Sequence, residues 1–351
     1  MEQLLQWGLQ HSVNNDGDAE DLKKMAEVAK SQSGPGQKYD PAVLDKILGK
    51  SDAEMMKEAM IVAANEEATL ENRLVALDNF EMLVEQVDNA KNMKNIGLWD
   101  PIYTLLKHNE DEIKVAAAAC TGTAINNDYD TQDTFFELDP LPLFISYLHS
   151  ANKALQNKAL LNISGLLKHN PVAVHKFTSV GGWSALAKAL QDSSNLNLQR
   201  KVAFLLNTLL LSDDITMRPV PGPTSTATGV AIRSDETQFP GDRAPRSPST
   251  EGMVSEALYN HKLVDSILSL VPPAQDVDQD LQEKALRALI TLTQQSWKRN
   301  VDERGYMTSG VKSRLRDCFS ELESLEQAHQ GTYAQFGLTV AEIESMRDML
   351  G

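Results

Sequence analysis

Chemistry needs particular side chains at particular spacings, and this sequence offers few candidates. Gly49-Lys50-Ser51 has the ending of a phosphate-binding loop, but Leu44 stands where the first glycine of that loop belongs. The tripeptide also lies between two helical patterns, with no strand before it to aim backbone N–H groups at phosphates. His169 and His175 are not at metal-ligand spacing, and neither a His-Glu-x-x-His helix nor a nucleophile elbow occurs. Cys120 and Cys318 are far apart and cannot form a disulfide framework, which fits a reducing compartment. Asn162-Ile163-Ser164 matches a glycosylation acceptor but falls in an apolar helical stretch. Glu110-Asp111-Glu112 reads as a helix start, where carboxylates meet the positive end of the dipole. The expectation is a protein with no catalytic residue, no metal and no cofactor.

Binding is the remaining class. The formal charge of −16 over 351 residues disfavours nucleic acid, because phosphate recognition needs dense Lys and Arg. The opening Met1-Glu2-Gln3-Leu4-Leu5-Gln6-Trp7 lacks the basic start and unbroken apolar run of a signal peptide. No apolar stretch approaches a membrane span, so a cytosolic place without membrane contact is expected. Hydrophobic residues make up 42% and aromatics only 6%, and a core of Leu and Ala favours helices over strands.

Helix punctuation is regular. Asp40-Pro41, Asp100-Pro101, Asp139-Pro140 and Asn170-Pro171 each set a capping side chain before a proline suited to the first helical turn. Ser51-Asp52-Ala53-Glu54 has the form of a capping box. One apolar pattern then recurs at Val115–Ala124, Lys158–Leu167, Lys201–Leu210 and Lys284–Leu292, with a looser copy at Arg73–Phe80. A small residue (Gly122, Gly165, Thr208, Thr291) holds the same place in four copies and predicts close helix approach. A period of roughly 42 to 45 residues belongs to armadillo and HEAT repeats, whose units bury their apolar faces only by stacking. The expected fold is therefore all-α: an armadillo-like right-handed helical solenoid with a flexible N-terminal arm. Residues 1–38 would be the arm and linker, 39–214 the repeats, and 253–351 a last repeat with capping helices around Val311–Leu325. Residues 215–252 hold Pro219, Pro221, Pro223, Pro240, Pro245 and Pro248 among Gly, Ser and Thr, and predict a disordered insertion. Arg246-Ser247-Pro248 within it is a possible phosphorylation site or part of a tolerated insertion without a role.

Such a solenoid offers a concave face lined by the last helix of each repeat. Asn126, Asn127, His169 and Asn170 fall near the ends of those helices, as surface contacts or as caps. Nuclear-import carriers place a Trp four residues before an Asn on that face. None of Trp7, Trp99, Trp183 and Trp297 has this spacing.

The strings Asp78-Asn79-Phe80-Glu81-Met82-Leu83 and Asp88-Asn89-Ala90-Lys91-Asn92, with Leu4-Leu5-Gln6-Trp7 at the start, resemble the armadillo-repeat nucleotide exchange factors of heat-shock protein 70 chaperones. The likeness covers the start and residues 54–214, and residues 254–300 more loosely; the insertion departs from the compact family pattern. It implies a monomeric co-chaperone that embraces one lobe of the chaperone ATPase domain and promotes ADP release. The physical requirement is tighter binding to the nucleotide-free form, and about 3 kcal/mol of coupling gives roughly a hundredfold change in ADP affinity. Carried over by position, the partner-binding residues are Asp88, Asn89, Ala90 and Asn92, with Arg200 and Lys201. Asn127 and Asn170 join them from the helix ends. Leu4, Leu5 and Trp7 of the arm would compete for the chaperone's substrate cleft. A generic armadillo adaptor for another cytosolic protein is the alternative.

Overall fold

Local rules start the helices. Ser51 caps α1 (Asp52–Ala64), with its hydroxyl accepting from Glu54 N and the Glu54 carboxylate accepting from Ser51 N, so the capping box forms. Thr69 caps α2 (Leu70–Val84), and α3 (Val87–Asn95) and α4 (Trp99–Leu106) follow. The computed structural model describes residues 50–126, 128–213, 250, 252–272, 277–298 and 307–351. The expected arm and most of the expected insertion lie outside those residues. Seventeen helices and no strand occur among the described residues.

The helices group in threes. In order they are α5 (Asp111–Ala124), α6 (Tyr129–Phe136), α7 (Leu141–Tyr147), α8 (Lys153–Leu167), α9 (Pro171–Ser179), α10 (Gly182–Gln191) and α11 (Leu196–Ser212). Triplets α3–α5, α6–α8 and α9–α11 begin at residues 87, 129 and 171, a spacing of 42. A fourth triplet comprises α12 (Met253–Asn260), α13 (Leu263–Leu268) and α14 (Gln279–Lys298). The chain divides within α4 into two units, Met1–Pro101 and Ile102–Gly351.

In the first unit, Met56, Met60, Leu77, Phe80, Val84 and Met93 form the core. The buried Arg73 guanidinium donates to Ala63 O at 2.8 Å and ties α2 to the end of α1.

In the second unit, third helices α5, α8, α11 and α14 lie side by side, and α12 and α13 pack on α9 and α10. Polar ties repeat across this layer. Thr121 Oγ1 donates to Asn162 Oδ1 (2.8 Å), Asn195 Nδ2 to Gln156 Oε1 (2.6 Å), and Thr291 Oγ1 to Asn207 Oδ1 (2.7 Å). Thr121, Asn162, Asn195 and Gln156 are buried, so these bonds satisfy groups that would otherwise cost about 1–3 kcal/mol each. The small residues sit where helices come close. A Cβ on Gly122 would stand 2.8 Å from Leu161 Cδ2, and one on Gly165 2.9 Å from Ile125 Cδ1.

The turn between first and second helices is left-handed in every triplet. Gly97, Asp139, Gly181 and Lys262 have φ of 71°, 51°, 78° and 58°. This overturns one sequence expectation. Asp139 occupies that turn instead of capping α7, and its carboxylate pairs with Lys176 at 3.1 Å. Asp100 likewise falls inside the first turn of α4, because the helix begins one residue earlier at Trp99. Asn170 does cap α9, with Pro171 in its first turn.

After the fourth triplet come α15 (Ser309–Ala328), α16 (Thr332–Gln335) and α17 (Val340–Leu350). Leu315, Cys318, Phe319 and Leu322 of α15 are buried, and burial pushes the Cys318 thiol up to about 12. The α15 helix packs on α13, and α17 packs on α14 with Arg287 paired to Glu342 at 2.5 Å. The chain on either side of residues 214–249 is clamped by Asp213. This fully buried carboxylate accepts from Gly252 N (2.9 Å), Ser255 N (3.0 Å) and Ser255 Oγ (2.7 Å). It also accepts from Thr250 Oγ1, while Thr250 N bonds Ser212 O at 3.3 Å.

Candidate partner-binding face

The first-unit candidates lie on α3. Asp88 is exposed and Asn92 half-buried, with Asn92 Oδ1 accepting from Asn95 at 3.3 Å. Asn89 works inward, because its amide donates to Asp52 Oδ2 (2.8 Å) and Leu83 O (2.9 Å), pinning α3 to the other two helices. Ala90, expected at a point of close partner approach, is only 2% exposed and packs in the core of its unit. Its short side chain lets α3 pack closely within its own unit.

In the second unit, Asn170 is 2% exposed and Oδ1 accepts from Ala173 N at 3.1 Å, so it too is an interior cap and not a surface contact. Asn127, Leu4, Leu5 and Trp7 lie outside the described residues. Lys201 is exposed on α11. Arg200 beside it is engaged within the chain: Nε and Nη2 donate to the two Asp278 carboxylate oxygens at 2.8 and 2.7 Å, with Asp280 at 3.3 Å. That fork pulls the Asp278 carboxyl below its usual range and raises the guanidinium pKa.

Around Lys201 the layer shows a feature that the motif reading missed. On α11, Leu198, Val202, Leu205, Leu206, Leu209 and Leu210 fill the core, while Phe204 is 59% and Leu211 57% exposed. Leu161, one repeat earlier on α8, is also exposed. An exposed Phe standing out of phase with the buried stripe is the signal by which the sequence could have found it. The adjacent helices α8 and α11 carry Lys153, Lys158, Arg200 and Lys201 but no Asp or Glu, in a chain of net charge −16. The exposed Lys201, three residues before the exposed Phe204 on α11, suits an acidic partner surface with an apolar hollow. Among the described residues no group of His, Cys, Asp and Glu could hold a metal ion, and no helix is long and apolar enough to cross a membrane.

Stacked three-helix repeats with their third helices side by side define an armadillo-type solenoid. A designed armadillo repeat protein solved with a (KR)4 peptide has this fold, at TM-score 0.57 and 12% identity over 86% of this chain and 100% of that one. Sequence narrows the class. The family profile described as nucleotide exchange factor Fes1 matches residues 1–93, and the SIL1/FES1/HPBP1 C-terminal domain matches residues 89–227. The Hsp70 nucleotide exchange factor FES1 of Mycosarcoma maydis is 36% identical over 325 residues, 83% of this chain and 82% of that protein. The Saccharomyces cerevisiae protein of the same name is 34% identical over 219 residues, 60% of this chain and 71% of its own. This chain belongs to the Fes1 family.

Proposed function

We propose that this protein is an Hsp70 nucleotide exchange factor: it binds the chaperone's ATPase domain and speeds ADP release without catalysing a covalent step. Membership of a family whose curated relatives carry that name supports the exchange reading. The single structural observation that carries it is the acid-free layer of α8 and α11, with Lys201 and Phe204 displayed.

The mechanism is differential binding. A surface that fits the open, nucleotide-free arrangement better than the closed one lowers ADP affinity by that difference. Lys201 would meet a carboxylate and Phe204 an apolar hollow, with Leu161 beside them; in the first unit, the exposed Asp88 and the half-buried Asn92 are the candidates. Leu4, Leu5 and Trp7 would aid client release, and the protein would act as a cytosolic monomer.

Stopped-flow release of labelled ADP from an Hsp70 ATPase domain tests this reading. Saturating wild-type protein should speed release about a hundredfold. Phe204→Ala should lose about 2 kcal/mol of binding, some thirtyfold in the concentration needed, with helical circular dichroism unchanged. Lys201→Glu should weaken binding most at low salt. Release that stays at its basal rate with wild-type protein rejects the exchange reading, and tight binding without faster release points to an adaptor.

A further inference from the structure

Arg200 and Lys201 are neighbours in sequence with different surroundings. Lys201 is exposed and lies within ion-pair distance of no carboxylate among the described residues. The Arg200 fork is filled by Asp278, and Asp280 stands at 3.3 Å. Asp278 has a second task, since Oδ1 also accepts from Leu281 N at 2.9 Å in the first turn of α14. One carboxylate therefore starts α14 and fastens it to α11. The same two helices are tied further along by Thr291 to Asn207 (2.7 Å) and by Gln295 to Leu210 O. A bidentate guanidinium pair fixes orientation as well as distance, which one lysine contact cannot do.

We infer that Asp278 is a positioning residue for exchange: by holding Arg200 it locks α14 against α11, so that Lys201 and Phe204 meet the chaperone on a fixed surface while Arg200 itself stays turned to its own chain. This rests on the exchange reading above and assigns roles within the same face. Binding energy is lost when a surface must first be ordered, so loosening the lock weakens docking without removing a partner contact.

A double-mutant cycle on the full chain tests the assignment. Arg200→Met keeps the aliphatic stem, and Asp278→Asn keeps an acceptor for Leu281 N, so both should retain helical circular dichroism. In the concentration-dependent limb of ADP release, each should slow the rate about tenfold and the pair no further, because both remove one lock. Lys201→Met should multiply with Asp278→Asn to about a hundredfold loss. It should also flatten the salt dependence of the rate, which Arg200→Met should leave as in wild type. A slow Arg200→Met beside a normal Asp278→Asn would show that the guanidinium touches the chaperone directly, and overturns the inference. So does a double variant whose loss equals the product of the single losses. Both patterns are read against a wild type that does accelerate release; basal release by the wild type instead rejects the exchange reading, and this assignment with it.

Discussion

Individual residues in this protein earn their place by where their polar atoms point. Ala90 and Asn170 illustrate it, since both are interior and their chemistry is packing and capping. Asp213 is the strongest case. Its carboxylate collects N–H groups from Gly252, Val254 and Ser255 at the start of α12, far along the chain. Removing it would leave those donors unpaired in the interior, so Asp213→Ala should cost about 3 kcal/mol by chemical denaturation. A loss below about 0.5 kcal/mol would mean that water or a neighbour takes over the bonds. Sequence alone did not single out Asp213, because its partners stand 39 to 42 residues further along and meet it only in the fold.

Among elements, the first-to-second helix turn is the most uniform feature. Two triplets meet its left-handed requirement with glycine, whereas Asp139 and Lys262 adopt it with a side chain. A non-glycine residue there costs roughly 1–2 kcal/mol, offset in part by the greater entropy glycine loses on folding. Lys262 is exposed, so Lys262→Gly should raise stability by about 0.5–1 kcal/mol in a denaturant melt. A lower midpoint would mean that the lysine makes a compensating interaction. The repeats and their long helices were legible because the apolar stripe recurs with its small residue at one register. The turn was not, because Gly, Asp and Lys share a backbone angle and no common side-chain chemistry. The proposed partner face was half legible. Lys201 stood out beside the family strings, while Phe204 was absorbed into an apolar run until burial separated inward from outward positions.

For the molecule as a whole, the insertion is a detour with its two ends held together. Ser212 and Thr250 share a backbone hydrogen bond across residues 214–249. Replacing that stretch with about four Gly and Ser residues should leave helicity and ADP release within about twofold. It should also add about 2 kcal/mol from the shorter loop closure. Loss of exchange in that variant would assign the insertion a working part. The joint between α11 and α14 does not depend on the covalent path between them. It has its own fork of Arg200 and Asp278, the Thr291–Asn207 bond and a shared apolar seam. A protease that nicked the detour would therefore release nothing: the two fragments would travel as one particle through a sizing column and separate only in denaturant.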